Sequence, residues 1–214
     1  MNLIVVVPPT IEPVTLADCW DHLRLTPAGS PLAHPHDAML KRHIATARSD
    51  AEKITKRAFC AQTIRLFLPS LIPSGILPGD TVYPNIAIAG LDLPRPPVIS
   101  ISSVKYYDAN NALQSVDPSL YFVTDDDVPR LRFTAGFVAP VTFVRDDAVR
   151  VDYVAGYAPV GSPPDYAAGV PSEIKDAILL GVSLLYDRPD PKYQDSIKAA
   201  RDALLEAYVV YKLA

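Results

Sequence analysis

Val149-Arg150-Val151-Asp152-Tyr153-Val154-Ala155-Gly156-Tyr157 is followed, after a loop rich in proline and glycine, by Val170-Pro171-Ser172-Glu173-Ile174-Lys175-Asp176-Ala177-Ile178-Leu179-Leu180. The first run alternates, with Val149, Val151 and Tyr153 on one face and Arg150 and Asp152 on the other, which is the period of a half-buried strand. Gly156 ends it, where the chain can bend without a side-chain clash. Pro171 then suits a first helical residue, because the N–H it lacks would have no partner there. Glu173 adds a negative charge to the first turn, which the helix dipole favours. From Ile174 the apolar positions Ile174, Ala177, Ile178, Gly181 and Leu185 form a helical stripe. A sheet therefore hands over to a helix here, and the rest of the chain falls on either side of that junction.

The chain has 214 residues, room for one domain with insertions or two small ones. Hydrophobic residues make up 49%, which places it among folded chains. A formal charge of −4 argues against a free-standing nucleic-acid binder, whose footprint is a basic patch. Cys19 and Cys60 have neither disulfide nor metal spacing and read as buried thiols of a reducing compartment. Leu3-Ile4-Val5-Val6-Val7 is too short to span a membrane and lacks the basic flank of a signal peptide, so it reads as a strand or arm packed on a neighbour. The 22 prolines gather between the predicted elements and imply long, stiffened loops.

Thr15 is a good N-cap, with Asp18 three residues on in a loose capping box. The short helix that follows turns Leu16, Cys19, Trp20 and Leu23 inward. Thr26 to Pro35 is loop. A long helix then runs from Asp37 to about Arg57, with Leu40, Ile44, Ala47, Ala51 and Ile54 inward and Lys41, Arg42, Arg48, Asp50, Glu52, Lys53 and Lys56 outward. The buried alanines permit close approach of a second helix. Gln62 to Leu68 alternates as a strand. Pro69 to Leu91 is a long proline-broken insertion with a candidate short strand at Ile86–Ile88. Val98 to Asp108 is a strand whose alternation changes phase near Ser102-Ser103, the mark of a bulge or of burial on both faces. Asp108 to Asn111 and Asp117-Pro118 are turns, and Tyr121-Phe122-Val123 and Arg130-Leu131-Arg132-Phe133 are short strands. The third helix reaches about Tyr186 and is stopped at Arg188-Pro189-Asp190-Pro191. A fourth runs from about Asp195 to Lys212. Its end, Leu204 to Leu213, is apolar on nearly every side, so it is either a central core helix or docks into another subunit.

The fold class is α+β, a body of four helices, two from each end of the chain, with an inserted antiparallel β region. The expected division is an arm over residues 1–14, a helical body over 15–60 and 170–214, and a β insertion with long loops over 61–169.

Chemistry is sparse. His34-Pro35-His36-Asp37 offers close metal ligands, but no third cluster completes a zinc site, and a solvated loop before a helix is the better reading. Asp125-Asp126-Asp127 lacks the glycine and distal glutamate of a calcium loop and reads as an acidic turn, as does Asp146-Asp147. No phosphate loop, dinucleotide fingerprint, nucleophile elbow or His-Glu-x-x-His occurs. Neither cysteine has a base nearby in sequence. The residues point to no enzyme, no cofactor and no metal, and to a surface spent on packing against other proteins.

Several pieces run in an order that is informative as a set: Val14-Thr15-Leu16 with Trp20-Asp21-His22-Leu23-Arg24; Ile44-Ala45-Thr46-Ala47-Arg48 with Ala51-Glu52; Gln62-Thr63-Ile64-Arg65-Leu66; Leu93-Pro94-Arg95-Pro96-Pro97-Val98 with Ser102-Ser103-Val104-Lys105-Tyr106-Tyr107-Asp108; and the Val151–Tyr157 and Val170–Leu180 junction. Over about Val14 to Tyr186 this order resembles the head–tail connector (adaptor, head-completion) proteins of tailed bacteriophages and of phage-like gene transfer agents. Pro69–Leu91, Ala135–Val144 and Val160–Gly169 depart from the pattern, which bears on loop contacts rather than on fold.

The resemblance implies a structural virion protein, assembled in the bacterial host cytoplasm. It implies a homo-oligomeric ring, typically of twelve copies, in the virion neck between portal protein and tail. Such a ring lengthens the DNA channel and offers a platform to tail or stopper proteins. Double-stranded DNA would pass through without sequence-specific binding, and twelve copies of a mildly acidic chain would repel phosphate. The C-terminal helix of such proteins commonly engages the portal, so Leu204, Leu205, Tyr208, Val209, Tyr211 and Leu213 are the portal-interaction candidates, and Pro69–Leu91 is a candidate contact to a neighbouring subunit or tail-side partner. The competing readings are another neck or tail ring protein, such as a stopper or tail terminator, and, from different classes, a metal-dependent hydrolase using an acidic turn or a sugar- or receptor-binding β module. No membrane partner is expected.

Overall fold

Thr15 begins the first helix by a reciprocal cap. Its hydroxyl accepts from the Asp18 N–H at 3.2 Å, while the Asp18 carboxylate accepts from the Thr15 N–H at 2.7 Å. An aspartate thus does the work usually given to glutamate at the third helical position. In the computed structural model, which describes residues 2–29, 31–71, 90–187 and 190–211, this helix is α1 (Leu16–His22). It is followed among the helices by α2 (Asp37–Thr55), α3 (Ser172–Tyr186) and α4 (Pro191–Glu206). The fold is α+β, with four α-helices and antiparallel sheets among the described residues. The chain divides into two compact units, Met1–Pro8 with Ala61–Gly156, and Pro9–Cys60 with Tyr157–Ala214.

The second unit holds all four helices. Its core gathers Cys19 of α1, Leu40, Ile44, Ala47 and Ala51 of α2, Phe59 and Cys60 after it, Ile174, Ala177, Ile178 and Val182 of α3, and Leu205 of α4. Helix α3 packs against both α2 and α4. Where α2 meets α3, a Cβ built on Gly181 would lie 2.9 Å from the Ala47 Cβ, so these two helices approach at a distance that only a glycine–alanine pair allows. The Trp20 indole N–H donates to Asp37 Oδ1 at 2.9 Å, tying α1 to the first turn of α2. The His34 N–H donates to Asp37 Oδ2 at 3.0 Å, and that bond, then the indole, holds the Asp37 carboxyl below the usual carboxylate range.

The first unit is built of β1 (Asn2–Val7), β2 (Gln62–Leu68), β3 (Leu91–Asp92), β4 (Val98–Tyr107), β5 (Leu113–Ser115), β6 (Tyr121–Val123), β7 (Arg130–Phe133) and β8 (Val149–Ala155). Five strands form one sheet in the order β1-β2-β8-β4-β5, and three form another in the order β3-β7-β6. Strand β8 lies at the centre of the larger sheet, with Val149, Val151, Tyr153 and Ala155 buried and the residues between them half-buried. The direct pairing Arg65↔Asp152 pins its register with β2, because the Arg65 guanidinium meets the Asp152 carboxylate through two bonds, of 2.7 and 2.9 Å. The pairing of β4 with β8 slips between Ile101 and Ser103, at the phase change read from the sequence. The Tyr153 hydroxyl donates to the Pro94 carbonyl at 2.6 Å, and burial pushes its pKa up. Gly156 has a φ of 134°, a conformation that side chains rarely adopt, and closes β8 with a bond from its N–H to the Pro97 carbonyl.

Four expectations change. Residues 2–7 of the expected arm form β1, an antiparallel partner of β2, because a β-branched run finds its ladder on the neighbouring strand. Arg48 and Glu52, expected to face solvent, are turned inward. The chain reverses at Lys56, whose φ of 57° is left-handed, and brings the Phe59 N–H back to Glu52 Oε1 at 2.8 Å. Arg48 then bridges Glu52 at 2.9 Å and Glu12 at 2.6 Å. Helix α3 starts at Ser172, with Pro171 as its cap residue, one place later than expected. Helix α4 starts earlier than expected, at Pro191, because the Asp190 carboxylate caps it by accepting from the Lys192 N–H, and it stops at Glu206 rather than near Lys212. The candidate strand at 86–88 lies outside the described residues.

Candidate functional surfaces

The portal-interaction candidates do not share one helical face. Leu205 is fully buried in the helical core, and Leu204 and Tyr208 pack against it. Beyond Glu206 the chain leaves the helix and is fixed to its own subunit by three bonds. The Arg57 Nε–H donates to the Tyr208 carbonyl at 2.6 Å, the Val210 N–H donates to the Thr55 carbonyl at 2.9 Å, and the Tyr208 hydroxyl donates to Glu173 Oε2 at 3.2 Å. The bond from Val210 satisfies a carbonyl that the end of α2 would otherwise leave without a partner. Glu173 sits in the first turn of α3, where its own backbone N–H and then the Tyr208 hydroxyl lower its pKa. Val209 is half-buried, whereas Tyr211 is 67% exposed. Leu213 lies outside the described residues. The structure thus brings Leu204, Leu205 and Tyr208 together as an inward anchor and leaves Tyr211 pointing out.

The other candidates resolve into local structure. The His34 and His36 rings meet edge to face, and His36 Nδ1 lies 2.7 Å from the Tyr186 hydroxyl. His22 Nε2 lies 2.8 Å from the Ser183 hydroxyl. In the acidic turn, Asp126 accepts from the Thr124 hydroxyl. Asp147 is held by Arg145 and Arg150, and the Arg145 hydrogen bond keeps its carboxyl below the usual range. Among the described residues no three His, Cys, Asp or Glu side chains gather in a way that could hold a metal, and no helix is long and apolar enough to cross a membrane. Burial pushes the Cys19 thiol up to about 11 and the Cys60 thiol up to about 12, so both are protonated at neutral pH and poor nucleophiles. An open groove of about 400 Å³ is bordered by Pro69 and by Thr142 to Asp146. Arg145 beside it is already committed to Asp147, to Asn111 Oδ1 and to the face of the Tyr107 ring.

Two apolar surfaces lie on the first unit: one is the run read from the sequence as a strand or arm packed on a neighbour, and the other was not singled out. Strand β1 is an edge of the five-stranded sheet, and Ile4, Val5, Val6 and Val7 are all exposed. Residues 137–144 leave Val138, Val141 and Val144 86%, 77% and 96% exposed. The signal that could have found the second is an uncharged, valine-rich run with no polar alternation, which no half-buried strand would show.

No protein-family description and no curated protein matches the sequence. Solved structures do match. The chain is similar, over its whole length and 98% of theirs, to a chain of the virion of a native gene transfer agent particle (21% identity, TM-score 0.69). It is likewise similar to a chain in the neck of an empty particle of that kind computed with C6 symmetry (20%, 0.71). A third similar chain is in the neck of a native particle computed with C12 symmetry (21%, 0.64), with the same coverage. At these identities the likeness is one of fold.

Proposed function

We propose that this chain is a structural subunit of a virion neck, one copy of a ring between portal protein and tail that extends the DNA channel and supports tail attachment. The observation that carries the reading is the end-to-end likeness of fold to chains in gene transfer agent necks. The mild negative charge agrees with it, since it suits a passage for DNA that must not hold it. In this reading Leu204, Leu205 and Tyr208 fix the end of the chain to its own subunit. Val209, Tyr211 and the residues after them, Leu213 included, meet the portal, in the manner of aromatic and apolar anchors at interfaces.

The test is truncation after Val210. This cut leaves Leu205, Tyr208 and the Val210–Thr55 bond in place, whereas a cut after Leu204 would open the core. The shortened subunit is expected to keep the melting temperature of the full chain and to fail to join portal-containing heads. Electron microscopy of the neck then separates an adaptor ring from a stopper or tail terminator by axial position. Unimpaired incorporation of the truncated chain would refute the portal role, and a ring found at another level of the neck would assign the chain to a different neck component.

A further inference from the structure

The larger sheet ends in an apolar edge strand, β1, whose pairing with β2 slips once between Val5 and Val7. Strand β1 reads Asn2-Leu3-Ile4-Val5-Val6-Val7, with no charge and no proline within it, and among the named elements it contacts β2. Leu3 is half-buried, and from Ile4 to Val7 exposure runs from 38% at Val5 to 49% at Val7. Alternate residues of such a strand turn their N–H and C=O groups outward, and proteins normally blunt an edge of this kind with lysine, proline or a covering element. Elsewhere in the same unit, residues 137–144 form an uncharged, irregular stretch. It is tied at its ends by the bonds Phe137 N–H to Thr134 O and Phe143 N–H to Tyr107 O, while residues 138–141 make no backbone bond among the described residues. Valines as exposed as Val138, Val141 and Val144 on one short stretch mark a contact site.

We infer that the two surfaces meet between copies: residues 138–144 of one subunit lie along the β1 edge of the next, a head-to-tail contact that repeats around the ring. This rests on the ring reading above. The occupant is a second copy of this chain because each surface supplies what the other lacks. One is an open hydrogen-bonding edge with apolar side chains, and the other is an irregular apolar segment that is bridged to Asp108 at Thr142 and whose residues 138–141 make no backbone bond among the described residues. A two-fold pairing of β1 with β1 would cover the edge but leave the three valines bare in both copies and would stop at a dimer. The head-to-tail contact covers both surfaces in every copy and is the kind that closes into a ring. Pro140 is tolerated because a proline can sit on an added edge strand with its ring turned away from the ladder.

The experiment uses the purified full chain at millimolar concentration, followed by sedimentation velocity. The wild type is expected to associate beyond a dimer. Val6→Lys and Val141→Lys each leave one surface intact, so each alone is expected to be a monomer with the wild-type melting temperature. Mixed together they are expected to form a one-to-one pair and stop there. If either lysine lowers the melting temperature, Val6→Cys and Val141→Cys chains joined by a short bis-maleimide replace them, since Cys19 and Cys60 are buried. The expected product is then the mixed 6–141 adduct. A monomeric wild type, association by either single lysine variant, no pair in the mixture, or a dominant 6–6 adduct overturns the contact. Normal neck rings built from the Val6→Lys chain would sink the contact and leave the ring reading standing. A wild-type chain absent from the neck would sink that reading while the pair test still reports on the contact.

Discussion

Arg48 illustrates how much one side chain can hold. Its side chain is 11% exposed, and its guanidinium joins Glu12, on the segment before α1, to Glu52, which in turn accepts from the Phe59 N–H. Removing the cation leaves two carboxylates facing each other in a poorly hydrated place. Arg48→Ala is therefore expected to destabilise the fold by about 3 kcal/mol, because breaking a buried pair costs more than the pair contributes. Chemical denaturation would measure it, and Arg48→Ala with Glu52→Gln should recover part of the loss, since glutamine still accepts from Phe59 and carries no charge. A loss below about 1 kcal/mol, the level of a surface pair, would show that the network is solvated. At this scale the sequence was legible where the partner lies within one turn, as for Thr15 and Asp18. It was not legible for Arg48 and Glu52, because their place on the helix wheel says polar and outward. Only the left-handed turn at Lys56, which returns Phe59 to α2, makes an inward acceptor necessary.

The elements themselves were readable wherever one periodicity dominated. The alternation of Val149 to Ala155 is the buried pattern of β8, and the stripe from Ile174 to Gly181 is the buried face of α3. Alanines on α2 foretold a close helix, and the partner is Gly181 of α3 in the same subunit. That contact has a consequence. Gly181→Val places branched carbons where 2.9 Å already separates a built Cβ from Ala47, so α2 and α3 must move apart along their whole packed length. The expected cost is about 2 kcal/mol, the usual range for overpacking. Thermal unfolding of the full chain measures it, and Ala47→Gly in the same chain should restore part of the loss by reopening the space. A Gly181→Val chain as stable as the wild type would mean that the two helices are not held at this distance. Helix α4 was misplaced for a different reason. Asp190-Pro191 carries two meanings, a stop for one helix and a capped start for the next, and local composition does not choose between them. Its apolar end promised about six more residues of helix, yet two outside bonds, from Arg57 and to Thr55, compete for that backbone and win.

Taken as a whole, the helical unit is assembled from both ends of the chain, as the arrangement of helices in the sequence implied. Missing from that picture were the partner of the first strand, which is β2 of the sheet, and the exposed valines of residues 138–144. Periodicity tells which face of an element is buried but says nothing about which surfaces another molecule must cover. The division has a consequence of its own. Every residue of the helical core belongs to residues 9–60 or 157–214, from Val14 to Leu205. The two cut ends are adjacent, since the Tyr157 N–H donates to the Phe59 carbonyl at 3.2 Å. A linker of a few glycines and serines between Cys60 and Tyr157 therefore closes a short gap, for which the entropic cost grows only slowly with length. The spliced chain keeps the Arg48 network, the Trp20–Asp37 bond and the α2–α3 contact, all of which lie inside this unit. It is expected to be monomeric and helical by circular dichroism, to unfold in one cooperative transition, and to show the dispersed methyl resonances of a fixed core, since every residue of its core cluster lies within it. A spliced chain with helical circular dichroism but no cooperative melt would be a compact state without fixed packing. That outcome would mean that the helices depend on the sheet unit for their order and that the two fold as one.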